Sequence, residues 1–169
     1  ISRHDPAAMD VRARLQPPTL AHPLGTDNFG RDLLSRVVHA GRISLVVGFV
    51  AVGIGALCGG LLGAVSGYYG GRLDGLLMRG MDILLSVPQL VLALAIVGAL
   101  GTSLLNLMVA VGISVLPRYA RLMRASALAV RELEFVEAAR AQGAGDLRII
   151  LQAIIPNCLA PLIVLSTLG

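Results

Sequence analysis

The side chains with the most chemistry to offer are concentrated in one polar stretch, residues 131–156, which we name the polar segment. Three carboxylates lie in its first half, with guanidinium groups before and after them: Arg131, Glu132, Glu134, Glu137, Arg140 and Arg148. Near Gly143 most side chains are alanine or glycine, which lets another backbone approach closely. A surface of small side chains bordered by charged ones favours noncovalent docking of a partner, in contact with water, over catalysis of bond breaking.

The pattern of the polar segment predicts two short helices joined by a turn. Gly143 is typical of the residue that ends a helix, and Asp146 of an N-cap that begins the next. The second helix is apolar and runs to Pro156. The alternative is a plain loop between two membrane spans, in which alanine and glycine serve only helix propensity and turns.

Residues suited to catalysis or metal binding are poorly placed for either task. His4, His22 and His39 all precede the long apolar runs, which argues against an intramembrane protease. Cys58 and Cys158 lie in or beside apolar stretches, without metal-ligand spacing, and we predict that they are small packing residues. We therefore expect no catalytic residue, no metal site and no cofactor.

Composition indicates a membrane protein. The chain is 56% hydrophobic and 14% charged, with a mean hydropathy of +0.80. All 14 basic residues are arginine, so the chain has no lysine for a Walker A loop and would not hydrolyse nucleotide by itself. Most arginines flank apolar runs, as the positive-inside rule expects, and we predict no nucleic-acid partner.

The apolar runs predict a transmembrane domain, residues 43–169, that contains the polar segment and these spans: 43–66, 77–100, 104–123 and an incomplete one at 158–169. We expect a turn at Gly101–Ser103, and kinks at Pro88 and Pro117. The spacing of Gly55, Gly59 and Gly63 predicts close helix packing within the subunit. Because the chain starts at Ile1 and stops inside an apolar run, we expect it to be part of a longer protein.

Residues 1–42 are predicted to be a proline-containing lead-in followed by an amphipathic surface helix with Thr26 as its N-cap. If the polar segment is cytoplasmic, the number of spans places residues 1–42 outside the cell. The arginines at positions 118–131 support this orientation, whereas Arg31, Arg36 and Arg42 run against it.

Several charged or polar residues near the spans have more than one interpretation. Arg79 and Asp82 are spaced for a mutual ion pair, which we favour over contact with a solute. The group Arg118, Arg121 and Arg124 shares one helix face, where anchoring in lipid headgroups is favoured over lining a cavity. For Gln89 and Asn106, interhelical hydrogen bonds and contact with a peptide backbone both remain open.

Parts of the polar segment resemble the EAA loop of ABC-importer permease subunits: Glu137, Ala138, Ala139, Gly143, Ile154, Ile155 and Pro156. Ile155 stands where that family usually has leucine. The resemblance implies an all-α polytopic bundle of the MetI-like type, with a cytoplasmic coupling helix that fits a cleft on an ATPase subunit. It implies these coupling residues: Glu137, Ala138, Ala139, Arg140, Gly143, Asp146 and Pro156.

Residues 14–45 resemble the segment before the second span in the C-type permease of dipeptide and oligopeptide importers. The matching residues are Gly25, Thr26, Asp27, Gly30, Arg31, Asp32, Ser35 and Arg36. The resemblance implies a polar surface near the extracytoplasmic mouth, where that family receives solute from a binding protein. An equally weighted alternative is a self-capped helix that braces the spans, with Asp27 and Asp32 paired to Arg31 or Arg36.

Together the resemblances imply a multi-pass permease subunit of an ATP-driven importer for dipeptides or oligopeptides in the bacterial inner membrane. The implied partners are a second permease subunit, two ABC ATPase subunits, an extracytoplasmic solute-binding protein and the lipid bilayer. Nickel and glutathione remain alternative solutes. A secondary transporter is a further alternative, because helices broken by proline suit alternating access, but only Asp82 comes near the carboxylate position that it would need.

Overall fold

A computed structural model describes the backbone of residues 5–168 and the side chains of residues 5–167. Over this range the regular secondary structure is helical, and its one β feature is an isolated bridge between Thr26 and Asp32. The chain divides into two compact units, Ile1–Val47 and Gly48–Gly169.

The helical elements follow one another through short turns, except for a long loop at residues 14–32 after the first of them. They are a 3-10 turn at Val11–Ala13, α1 (Leu33–Tyr69), α2 (Gly71–Leu85), α3 (Gln89–Leu100), α4 (Leu104–Val130), α5 (Glu134–Ala141), α6 (Asp146–Asn157) and α7 (Leu159–Leu168). Two π-helical turns interrupt the regular hydrogen bonding, Gly55–Gly59 in α1 and Ile150–Ile154 in α6.

Helix α1, with 37 residues, is long and apolar enough to cross a membrane. The pairs α2–α3 and α6–α7 bend by 89° and 52°, and would qualify only if each bent pair is one span, which gives one to three candidate spans among the described residues. The predicted span 77–100 is divided between α2 and α3. Helix α4 contains the predicted span 104–123, but falls outside that count and carries arginines in its second half.

The turn between α3 and α4 lies where the sequence predicts it. Gly101 has a φ of +96°, a conformation that glycine adopts readily. Ser103 caps α4 by accepting a hydrogen bond from the Asn106 backbone N–H at 3.1 Å. The Asn106 side chain donates to the Leu100 carbonyl at 2.6 Å, so it joins the two helix ends. Pro117 lies inside α4 and does not end it.

The predicted close packing of glycines is confirmed, because one face of α1 lies directly against the backbone of α4. A Cβ atom added to Gly59 would meet the Leu116 carbonyl, and one added to Gly63 would meet the Ala120 carbonyl. Gly67 continues the same face. Only glycine allows this separation, so the contact depends on the absence of side chains.

A hydrophobic core of the second unit joins the long helices to the polar segment. Its most buried members come from α1, α4, α5 and α6: Ala64, Met123, Ala127, Val136, Ile149 and Ile154. Cys158 belongs to this core and is 1% exposed, as predicted for a packing residue. Cys58 is exposed, so its predicted packing role is not seen within this chain.

The predicted start of the first helix at Thr26 is wrong. The Thr26 hydroxyl donates to the Ala13 carbonyl and accepts from the Gln16 backbone N–H at 2.9 Å, so it holds a loop rather than a helix end. Helix α1 begins at Leu33, and the Asp32 carboxylate accepts from the Ser35 backbone N–H at 2.8 Å. The helix continues through residue 43 without the predicted division into a surface helix and a span.

The glycine face generates a stability prediction. We expect Gly63→Ala to lower the free energy of unfolding by about 1–3 kcal/mol, because the new methyl group must push α1 away from α4. The thermal midpoint of the detergent-purified full-length protein measures the effect. Gly53→Ala is the matched control, since nothing lies within 4 Å of a Cβ at this position of the same helix. Equal midpoints for the two variants would contradict the packing argument.

Candidate functional site

Helix α5 is a short element with one buried face and one exposed face. Val136 is 0% exposed and joins the core, whereas Glu137, Ala138 and Arg140 are exposed and Ala139 is half-buried. Glu134 and Glu137 lie in the first turn, where carboxylates interact favourably with the helix dipole. The helix therefore presents a charged and small-residue face outward while its apolar face is held by the bundle.

The predicted end of this helix at Gly143 is confirmed. Gly143 has a φ of +81°, and its N–H donates to the Arg140 carbonyl at 2.9 Å. The Ala144 N–H donates to the Ala139 carbonyl at 3.0 Å. These two bonds form a Schellman motif, which satisfies carbonyl groups that the helix end would otherwise leave unpaired.

The predicted role of Asp146 as an N-cap is wrong. Gly145 precedes α6, Asp146 is its first helical residue, and no side-chain capping bond is made. The Asp146 carboxylate instead accepts a hydrogen bond from the Tyr68 hydroxyl at 2.8 Å. The hydrogen-bond donor to Asp146 is therefore a side chain distant in sequence, and not a backbone N–H at the start of α6. Helix α6 also continues beyond the exposed Pro156 to Asn157.

The polar segment is attached to the C-terminal end of α1 by three polar contacts. Besides the Tyr68–Asp146 bond, the Arg140 guanidinium lies over the Tyr68 ring, 5.2 Å from its centroid, and Arg131 donates to the Gly67 carbonyl at 3.0 Å. Tyr68 is 7% exposed. We name the contacts of Tyr68 with Arg140 and Asp146 the Tyr68 clamp.

Ion pairs join α2 to α4. Arg124 donates to both Asp74 oxygens at 2.5 Å, and the Ser66 hydroxyl donates to the same carboxylate. Arg121 donates to Asp82 at 2.6 Å. The predicted pair of Arg79 with Asp82 is therefore wrong, because Asp82 pairs with Arg121.

A groove of about 340 Å³ lies between α5 and α6. Small, apolar and polar side chains line it: Phe135, Ala139, Gln142, Ala144, Arg148, Ile149, Gln152 and Ala153. Among the predicted coupling residues, Ala139 lines this groove and Arg140 and Asp146 belong to the Tyr68 clamp. Glu137, Ala138 and Gly143 are exposed.

In the first unit, Asp27 is the centre of the N-terminal motif. It accepts from the Phe29 and Arg31 backbone N–H groups at 2.8 and 3.0 Å, from Arg31 Nε at 2.8 Å and from Arg36. Partial desolvation alone would raise the pKa of Asp27, but these hydrogen bonds and the Arg31 charge outweigh it and lower the pKa to about 2. The carboxylate thus holds both arginines of the motif.

Two glycines shape this loop. Gly25 and Gly30 have φ values of +75° and +74°, and a Cβ on either would meet the backbone of Gln16 or Asp10. Asp32 is buried and lies 3.1 Å from His22 Nδ1. The expected pairing of Asp27 with Arg31 and Arg36 is present, whereas Asp32 contacts His22 instead. Both carboxylates of the motif are thus paired within the first unit, whereas the buried Ser35 hydroxyl has no hydrogen-bond partner among the described residues.

Several residues of the second unit escaped sequence analysis. Neither the contacts of Tyr68 nor the Asp74–Arg124 pair was predicted. A spacing signal existed for the pair, because Asp74 and Asp82 lie eight residues apart on α2, while Arg121 and Arg124 lie on one face of α4. Acidic residues on one helix and basic residues on another indicate that the two helices face each other. They do not specify which side chains form the ion pairs.

Sequence comparison shows the family to which this chain belongs. The model of a family described as "Binding-protein-dependent transport system inner membrane component" matches residues 59–168, which include α4, the polar segment and the Tyr68 clamp. The chain belongs to this family. It is consequently an inner-membrane transport component, as the sequence predicted, and the family is not one of enzymes.

Individual relatives extend the similarity to the N-terminal motif. The chain is 48% identical over 168 residues to the probable D,D-dipeptide transport system permease protein DdpC of Escherichia coli (strain K12), covering 99% of the chain and 56% of the relative. It is 48% identical over 156 residues to the dipeptide transport system permease protein DppC of Alkalihalophilus pseudofirmus, covering 92% and 51%.

A third relative carries a different solute in its name. The chain is 40% identical over 147 residues to the glutathione transport system permease protein GsiD of Pectobacterium atrosepticum, covering 87% of the chain and 49% of the relative. The chain spans about half the length of the curated relatives it matches.

A double-mutant cycle can measure the contribution of the Tyr68–Asp146 hydrogen bond to local stability. Tyr68→Phe removes the hydroxyl while the ring stays beneath Arg140, so we expect a loss of about 1.5 kcal/mol in local stability. Amide hydrogen exchange in α5 and α6 should become roughly tenfold faster. Asp146→Asn should have little further effect in the Tyr68→Phe background. A full additional effect would contradict a direct bond between the two side chains.

The Asp27 network generates a pH prediction. Because the folded pKa of about 2 lies below the ordinary 3.8, its stabilisation is complete at neutral pH and is lost as the pH falls from 3.8 through about 2. Exchange of the Phe29 and Arg31 amides, corrected for intrinsic rates, should rise over that range. In Asp27→Asn it should already be fast at pH 7. Asp5→Asn is the control, and a slow neutral exchange in Asp27→Asn would contradict the network.

Proposed function

We propose that this chain forms part of the transmembrane permease subunit of an ATP-driven importer for dipeptides or oligopeptides. The observation that carries the proposal is the double attachment of the polar segment. Its apolar face lies in the same core as α1 and α4, and its other face exposes Glu137, Ala138 and Arg140. A segment built in this way transmits the motion of a bound partner to the bundle.

The partner of this face is an ABC ATPase subunit. The residues of this chain include no lysine and hence no Walker A loop, and we propose that a separate ATPase subunit supplies the energy. The exposed face of α5 offers a carboxylate, small side chains and a guanidinium, a combination that allows close approach with charged contacts at the edge. Two ATPase copies, a second permease subunit and an external solute-binding protein complete the assembly that we propose.

Sidedness follows from the position of this face. Tyr68 and Gly67 at the end of α1, Arg124 near the end of α4, and the start of α2 all contact one another or the polar segment. This clustering supports a common cytoplasmic location for the polar segment and the turn before α2. With that orientation the N-terminal motif, residues 25–36, lies outside the cell, where it either braces α1 or receives the binding protein.

The solute class rests on the relatives. The proteins at 48% identity are named for dipeptides and D,D-dipeptides, which favours peptides. The relative at 40% identity is named for glutathione, which is the second candidate solute. No relative given above is named for nickel, and nickel remains the weaker alternative.

We expect Glu137→Lys to leave the full-length permease inserted and assembled while ATP-dependent peptide uptake is lost. The lysine reverses the charge at the centre of the exposed face of α5, so closure of the ATPase pair no longer moves the bundle. Proteoliposomes that contain both permeases, the ATPase subunits and the binding protein allow uptake and ATP hydrolysis to be measured together. Gly143→Leu should act similarly, because its φ of +81° disfavours any side chain.

Glu132→Lys is the matched control, since Glu132 precedes α5 and its side chain is 71% exposed beside Arg131. Uptake and ATPase stimulation should stay near wild-type values in this variant. Unchanged uptake in Glu137→Lys would contradict the coupling role. Peptide uptake by the wild-type assembly without nucleotide would contradict ATP-driven import and favour a secondary transporter.

A further inference from the structure

A cavity of about 160 Å³ lies among α1, α3, α4 and α7 of the second unit. Its wall is formed by Gly48, Ala51, Val52, Gln89, Val111, Val115, Arg118, Tyr119 and Leu165. Small and aliphatic side chains make up most of this wall. The Gln89 amide and the Arg118 guanidinium are its strongest hydrogen-bonding groups, and no carboxylate is among the lining residues.

Arg118 differs from the two arginines that follow it on α4. Arg121 and Arg124 each form an ion pair with a carboxylate of α2, at 2.6 and 2.5 Å. Arg118 forms no ion pair or hydrogen bond with any residue in the described part of the chain. Its charge and its donors are therefore available to a bound anion.

Arg118 lies inside the predicted span 104–123 and is exposed at the surface of this chain. Arg118 lies 14 residues after Leu104 and 12 residues before Val130, close to the middle of the helix. At about 1.5 Å per residue, each end is roughly 20 Å away. An arginine inside a predicted span is rare; it is retained where it faces a polar cavity, a counter-charge or the membrane interface, and it can mark a pathway for solute or ions.

We propose that Arg118 binds the carboxylate of the transported solute, with Gln89 as a second polar contact, while the solute passes through this cavity. The inference rests on the proposed function. A guanidinium matches a carboxylate with two parallel hydrogen bonds, and an amide both donates to and accepts from a peptide group. Every peptide with a free C-terminus carries such a carboxylate, so one arginine serves peptides with different side chains.

The test uses the complex of full-length permease, partner permease, ATPase subunits and binding protein in proteoliposomes. The probes are a dipeptide with a free C-terminus and its C-terminal amide. Each is supplied at a concentration that saturates the binding protein, as determined by separate titration, so that maximal uptake reports the membrane step. We expect the wild type to transport the free acid faster than the amide.

Arg118→Gln should lower maximal uptake of the free acid about tenfold, the effect of losing one charge-assisted hydrogen bond, and leave uptake of the amide near its wild-type rate. Arg118→Lys should retain part of the preference for the free acid, because lysine keeps the positive charge but lacks the two parallel N–H donors of the guanidinium. Arg72→Gln is the matched control, since Arg72 is exposed on α2 and lies outside the cavity. It should preserve both rates.

Three results would overturn the inference. An equal loss of both substrates in Arg118→Gln, or a reduced yield of assembled complex, would assign Arg118 to a carboxylate of the partner permease or to a lipid phosphate. An unchanged preference for the free acid would remove Arg118 from recognition altogether. If the wild-type complex takes up neither peptide with ATP, the proposed function itself fails, and this inference fails with it.

Discussion

The structure of the second unit depends on the direct approach of two helix backbones. Along α1, Gly59, Gly63 and Gly67 lie against the backbone of α4, where any larger residue would collide. In a bilayer, helices gain little from leaving lipid for protein, so tight van der Waals contact must supply the association. The core that receives Val136 and Ile149 is built on this contact, because α1 and α4 form two of its walls.

Charged groups in this unit are paired wherever the packing brings them together. Asp74 combines with Arg124 and Ser66, and Asp146 with Tyr68. A buried or membrane-facing carboxylate without partners would be expensive, so these contacts offset the cost of placing charge near apolar helices. The polar segment also has a defined position, because Arg131, Arg140 and Asp146 reach α1 while its apolar residues enter the core.

Local features of this chain were predictable because their causes are local. The turn at Gly101–Ser103, the end of α5 at Gly143 and the glycine face of α1 follow from backbone freedom and from spacing within one helix. Partner choice was not predictable in the same way. Helical spacing of i, i+3 predicts that Arg79 pairs with Asp82, but in the fold Asp82 pairs with Arg121 of another helix. Thr26 and Asp146 resemble N-caps, yet each bonds to a group distant in sequence.

The glycine contact also decides where the bundle can deform. No flexible side chains lie between the two backbones to accommodate sliding of one helix along the other. The contacting parts of α1 and α4 must therefore move together as a rigid unit. Bending is then confined to joints with less packing, such as the 89° break between α2 and α3 and the short Gly101–Ser103 turn. A displacement of α1 at its Tyr68 end would therefore rotate α1 and α4 together about these hinges.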